Sequence, residues 1–190
     1  MFLLRDDISE IAALLQRGGI ILYPTDTIWG IGCDATNEAA IARVSALKQR
    51  PPEKGYVILV SSIEMLKQYT GKFHPRLETL LAHHQRPLSV IYEKVQGISP
   101  AALAPDGSAA IRVVQDEFCR KLIDLLGKPI ISTSANVSGQ PFPAHFGEVS
   151  SEVISGVDYV VKHRQEDKEP HEPSVIAKAD RHGELDFIRE

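Results

Sequence analysis

The sequence predicts a single α/β domain over residues 1–190, a twisted mixed sheet flanked by helices. Three observations predict it. Short β-branched runs alternate along the chain with segments whose apolar residues recur at helical spacing. Capping residues and glycine stops bound the helical segments. A chain of 190 residues, 43% apolar and 24% charged, is long enough to bury one sizeable core.

Residues 7–17 place Ile8, Ile11, Ala12, Leu14 and Leu15 on one helical repeat, which Gly18 and Gly19 end. Residues 20–23 form a buried strand stopped by Pro24. Asn37 suits the N-cap of a helix over Glu38–Lys48, and Pro51 and Pro52 cannot continue it. A second buried strand follows at 56–60, then helices at 63–69 and 75–84 and a strand at Leu88–Tyr92. Another strand spans 109–114. A helix over 116–126 stops at Gly127, and a strand follows at 129–132. Strands near 157–161, 174–177 and 185–188 complete the chain. Ligands of such folds sit outside strand ends, which singles out the loops after Tyr23, after Ala46 and after Ile131.

Composition excludes several classes. The balance of 21 Lys and Arg against 25 Asp and Glu, a net charge of −4, argues against nucleic-acid binding by bulk electrostatics alone. Cys33 and Cys119 cannot build a disulfide framework, and no CxxC pair offers a structural zinc site, so no resident metal is expected. Neither cysteine has an activating neighbour in sequence, and both read as packing residues. No apolar run reaches the ~18 residues of a membrane span, and MFLLRDDISE lacks a signal peptide's long apolar stretch; a reduced, cytoplasmic protein is expected. There is no P-loop, no GxSxG elbow and no HExxH.

Four places could carry chemistry. Residues 23–34, YPTDTIWGIGCD, supply Thr25, Asp26 and Thr27 after a strand, with Gly30 and Gly32 permitting close approach of backbone; the stretch reads equally as a turn. Trp29 reads as core. The G-x-G-x-x-A at 30–35 resembles a weakened dinucleotide fingerprint, but it starts too far from the strand and lacks a ribose-binding acid. Residues 48–55, KQRPPEKG, gather Lys48, Arg50 and Lys54 beside two prolines. This is an anion site or a solvated helix end. Residues 131–141, ISTSANVSGQP, offer four hydroxyls and an amide after a strand, a polar cradle or a capped turn. Arg112 closes an otherwise apolar strand and either pairs with an acid such as Asp116 or faces a carboxylate ligand. The run at 165–170, QEDKEP, reads as a solvated acidic loop.

Taken in order, YPTDTIWGIGCDA, LKQRP with PEKG, AIRV and STSANVSG resemble the YrdC-like family, the threonylcarbamoyl-AMP synthases, in the short bacterial form. The resemblance implies a twisted sheet around a basic cavity. It also implies a reaction: threonine's amine takes up bicarbonate as a carbamate, whose oxygen attacks the α-phosphate of ATP and expels pyrophosphate. The product serves partner proteins that modify the adenosine beside certain tRNA anticodons. The resemblance implies catalytic roles for Lys48 and Arg50, with Arg50, Lys54, Ser108, Ser134, Asn136 and Arg189 on the nucleotide side. Thr27, Arg112, Ser132 and Ser174 would line a threonine pocket, and Mg²⁺ would arrive with ATP. Members commonly carry W-P-G-P-x-T, AVRxP and PST; here these places read Gln85-Arg86-Pro87-Leu88-Ser89, Ile111-Arg112-Val113-Val114 and Pro173-Ser174-Val175. An alternative is a module of the same fold that binds double-stranded RNA or tRNA by shape without catalysis.

Overall fold

The computed structural model describes residues 6–51, 54–180 and 182–189. Pro52 and Glu53 of the basic segment therefore lie outside the described residues. In chain order the elements are α1 (Ile8–Gln16), β1 (Ile21–Tyr23), β2 (Gly30–Asp34), α2 (Glu38–Lys48), β3 (Val57–Val60), α3 (Ile63–Thr70) and α4 (Pro75–His83). They continue with β4 (Leu88–Tyr92), β5 (Ala109–Val113), α5 (Glu117–Leu126), β6 (Ile130–Ser134), α6 (Ser151–Gly156), β7 (Tyr159–Val160), β8 (Val175–Ala179) and β9 (Leu185–Arg189). The helix starts follow local chemistry: Asp7, Asn37, Ser62, Asp116 and Ser150 each accept a backbone N–H of the first turn through their side chains.

The strands form one sheet in the order β7-β1-β2-β6-β3-β5-β4-β8-β9. It is mixed: β1·β7, β3·β5 and β4·β8 run parallel and the other neighbours antiparallel. Two strands differ from expectation. Gly30–Asp34 is a fully buried strand, not a ligand loop. A Cβ at Gly32 would lie 2.7 Å from both the Tyr23 ring and the Ile131 carbonyl, so the glycine admits a neighbouring strand and an aromatic ring. Ser132, Thr133 and Ser134 lie within β6, where five-residue pairing with β2 extends the strand past its apolar start.

Each sheet face packs against its own helices. Ile31, Cys33, Ile58, Val60, Val90, Ile111 and Ile131 meet α2, α3 and α4 through Ile41, Val44, Leu66, Leu77 and Leu81. On the opposite face Ile21, Tyr23, Leu59 and Ile130 lie under α1 and α5, through Ile11, Leu15, Phe118, Leu122 and Ile123. That second cover stops partway. Strand register sets Ile130, Leu59, Arg112, Ser89 and Ile176 in one row across β6, β3, β5, β4 and β8. The row is apolar beneath the helices and carries Arg112 and Ser89 beyond them, and the hollow opens there. Among the described residues no helix is long and apolar enough to cross a membrane.

The approach to the hollow is tight. A Cβ at Gly55 would sit 2.8 Å from the Ala104 nitrogen and 3.1 Å from the Leu103 carbonyl carbon, both rigid backbone. Gly55→Ala is predicted to cost about 2 kcal/mol, read as a fall in melting temperature of roughly 6 °C by calorimetry. An unshifted transition would show that residues 103–104 yield freely.

Candidate active site

The uncovered part of the sheet bounds a cavity of about 580 Å³, within the range of small-molecule sites. Ser132 and Ser134 of β6, Val57 of β3, Ala110 and Arg112 of β5 and Ile91 of β4 line it, with Thr27 and Gly30 on one side. Arg50, Tyr56 and Ser108 close a second side, and Ser174, Ile188 and Arg189 a third. Eight of the residues named from sequence thus share one hollow: Thr27, Arg50, Ser108, Arg112, Ser132, Ser134, Ser174 and Arg189.

Arg112 is 3% exposed. Its Nη2 lies 3.0 Å from Asp26 Oδ1 and donates to Thr27 Oγ1 at 3.3 Å. Its partner is therefore Asp26, 86 positions upstream, and not Asp116, which caps α5 instead. Asp26 is held in turn by the Gln115 N–H at 3.1 Å. Arg112 Nε is buried without a protein acceptor, so one guanidinium donor is unspent. Nearby, the Ser89 and Ser174 hydroxyls share a hydrogen bond of 2.8 Å, and the Arg189 guanidinium donates to the Ser174 carbonyl at 2.8 Å. Burial, with the charge of Arg112, lowers the pKa of Arg189 below the usual guanidinium value. An anion between the two would relieve that repulsion.

Arg50 reaches the cavity through a turn of defined chemistry. Gln49 takes the left-handed conformation at φ +49°, the Arg50 N–H bonds the Ser45 carbonyl and the Gln49 N–H bonds that of Ala46. This is the hydrogen-bond pattern that ends a helix by folding the chain back. The Arg50 guanidinium lies 4.5 Å from the centre of the Tyr56 ring and donates to the Gly55 carbonyl at 2.6 Å. The Tyr56 hydroxyl is tied to Ser45 at 2.7 Å.

Three residues named from sequence lie elsewhere. Lys54 is exposed and presents its backbone carbonyl to Arg50 Nε. Asn136 lines a neighbouring cavity of about 640 Å³ and donates to the Gln140 carbonyl. Lys48 is 1% exposed, and its Nζ donates to the Ser134 and Asn136 carbonyls at 2.6 and 2.5 Å, away from the cavity lining. The Lys48 carbonyl also accepts the Ser138 N–H at 2.8 Å. Lys48 thus clamps the end of β6 to the end of α2 and does not present its ammonium to the cavity. Burial beside Arg50 pulls that ammonium down to about 8. Burial also raises both cysteine thiols, consistent with packing roles.

Some site residues carry no local sequence signal. Tyr56 supports Arg50 only because a turn folds back onto it, and Phe142, at 44% exposure, joins the rim from a loop. Trp29 is core, tilted against Phe146 with ring centres 4.9 Å apart.

Fold and site together define a mixed α/β domain with a small-molecule cavity rich in guanidinium groups and hydroxyls. A family model, Sua5_yciO_yrdC, described as telomere recombination, matches residues 13–190, and the chain belongs to that family. A Vibrio cholerae protein named threonylcarbamoyl-AMP synthase is 33% identical over 178 residues, covering 92% of this chain and 93% of that one. The solved structure of P. abyssi Sua5 superposes with a TM-score of 0.78 at 25% identity, over 90% of this chain; the match spans only 52% of the longer Sua5 chain. E. coli YciO shares the fold at a TM-score of 0.81 and 18% identity, over 96% of this chain and 88% of that one.

The clamp generates a prediction. Lys48→Met keeps the side chain's bulk but leaves two carbonyls without a donor, a loss of about 3 kcal/mol. The unfolded chain holds the Lys48 proton up to its ordinary value of 10.5, whereas the folded chain releases it from about 8. Unfolding therefore takes up a proton between those values, and wild-type stability gains with rising pH. The gap between wild type and Lys48→Met in urea unfolding is predicted to widen from pH 8 to pH 10. A constant gap would contradict the placement.

Proposed function

We propose that the protein is an L-threonylcarbamoyladenylate synthase, forming threonylcarbamoyl-AMP and pyrophosphate from threonine, bicarbonate and ATP. The observation that carries this reading is one cavity lined by Arg50, Arg112 and Arg189, with Thr27, Ser132, Ser134 and Ser174 beside them. The name of the Vibrio cholerae relative, over nearly the whole length of both chains, supports it.

Each group has work to do. Arg112, with Asp26 and Thr27 fixing its plane, offers its unspent donor to the threonine carboxylate. The Thr27 and Ser132 hydroxyls surround the amino acid. The threonine amine attacks bicarbonate carbon and water leaves, giving a carbamate. A carbamate oxygen then attacks the α-phosphorus of ATP, and the bond to the β,γ-pyrophosphate breaks. No protein nucleophile is required, so the enzyme is a nucleotidyltransferase working by alignment and charge. Arg50 and Arg189 hold the phosphates, with Ser108 and Ser134 as hydroxyl donors. Lys48 serves by fixing the carbonyls that shape the Ser134–Asn136 corner. Mg²⁺ arrives bound to the phosphates of ATP.

The product is a mixed anhydride, and it passes to proteins that modify tRNA in the cytoplasm. No observation favours the RNA-binding alternative, given the net charge of −4 and the cavity's scale.

Pyrophosphate release that needs threonine, bicarbonate and ATP together is the expected activity. Release without threonine, or none at all, would contradict the reading. Arg112→Gln is predicted to raise the threonine KM at least ~30-fold, about 2 kcal/mol, with ATP affinity spared. Equal losses for both substrates would remove Arg112 from the threonine end.

A further inference from the structure

The turn between β1 and β2 presents Asp26 and Thr27 to Arg112, so its position sets the guanidinium's orientation. From inside, the Thr25 hydroxyl accepts the Thr27 N–H at 3.0 Å, shares a hydrogen bond with Thr27 Oγ1 at 2.8 Å and donates to the Ile28 carbonyl at 2.9 Å. From outside it is held by a residue that lies 139 positions further on and does not line the cavity: Arg164 Nη1 donates to the Thr25 carbonyl at 2.9 Å.

Arg164 is built for that contact. It takes the left-handed conformation at φ +63°, one of two such non-glycine residues among those described. An arginine there is strained relative to glycine, and persists because surrounding contacts over-determine it. Its guanidinium is steered by Asp116 Oδ2 at 3.6 Å, Asp167 Oδ2 at 3.4 Å and His171 Nε2 at 3.0 Å. Asp116 anchors the group to α5, whose N-terminus it caps. Asp167 belongs to the acidic run that the sequence offers only as a solvated loop. This strap from β7 to β8 ends at Pro173 and Ser174, which line the cavity.

We propose that Arg164 is a positioning residue for the threonine end of the cavity, acting through the Thr25 carbonyl on the Asp26–Thr27 pair and so on Arg112. The proposal rests on the synthase reading. The guanidinium meets no substrate: two carboxylates already engage it. It touches the turn that faces the amino acid, whereas the nucleotide-side residues Arg50, Ser108 and Arg189 hang from other elements. Displacing Thr27 by a fraction of an ångström therefore weakens one substrate selectively.

The test uses Arg164→Gly and Arg164→Lys. Glycine takes the left-handed backbone without strain and removes the whole side chain with its guanidinium, whereas lysine restores the aliphatic stem and one donor. Threonine and ATP affinities by calorimetry, KM values by pyrophosphate release, and melting temperature are the readouts. Arg164→Gly is expected to weaken threonine binding about tenfold, to change ATP binding by less than about twofold and to move the melting temperature by less than about 3 °C; Arg164→Lys recovers most of the loss. Unchanged threonine affinity, or parallel losses of threonine, ATP and stability, would overturn the inference and leave the synthase reading standing. A wild-type protein that binds no threonine overturns both.

Discussion

Three guanidinium groups share one hollow. Arg50, Arg112 and Arg189 line the cavity, and among the described residues only Arg112 has an acidic partner there, Asp26. Arg50 and Arg189 spend their hydrogen bonds on backbone carbonyls, which satisfy donors without cancelling charge. Positive charge held in a partly desolvated hollow is unfavourable until an anion enters. The structure therefore keeps part of its electrostatic potential in reserve for an anion. A protein with a net charge of −4 can still present such a site, because field depends on where charges sit and not on their sum.

The fold makes this arrangement possible by covering one sheet face fully and the other only in part. A strand row that begins with Ile130 and Leu59 beneath α1 and α5 continues with Arg112 and Ser89 where those helices end. Strand periodicity puts these residues on one face, and the extent of the helical layer decides which of them meet a ligand. Connections then supply what strands cannot. The helix-ending turn at Gln49 returns Arg50 over Tyr56, the β1–β2 turn brings Asp26 and Thr27 to Arg112, and the β7–β8 strap steadies that turn through Arg164.

Much of this was legible in the sequence where local physics governs. Asn37 caps α2 as read, Gly127 stops α5, and Trp29, Cys33 and Cys119 are buried. Eight of the residues that the order of motifs singled out line one hollow. Legibility failed where partners are distant. Gly30 and Gly32 read as a loop because their role is to admit Tyr23 and a neighbouring strand. Sequence offered Arg112 a nearby acid such as Asp116 or a carboxylate ligand, whereas the β1–β2 turn brings Asp26 to it. Lys48 and Arg50 read as equivalent cations two positions apart. One ends a helix turned inward and ties two carbonyls, the other follows a left-handed residue and lines the cavity. α6 escaped notice because it is six residues long with one buried side chain.

The central claim, that unneutralised guanidinium charge grips a polyphosphate, is tested most directly by thermal melting of the wild-type protein with ATP, pyrophosphate or adenosine. The account predicts that ATP and pyrophosphate raise the transition in a dose-dependent way and that salt erodes the gain, while adenosine alone does little. Stabilisation by adenosine equal to that by ATP, or none from either phosphate compound, would contradict it.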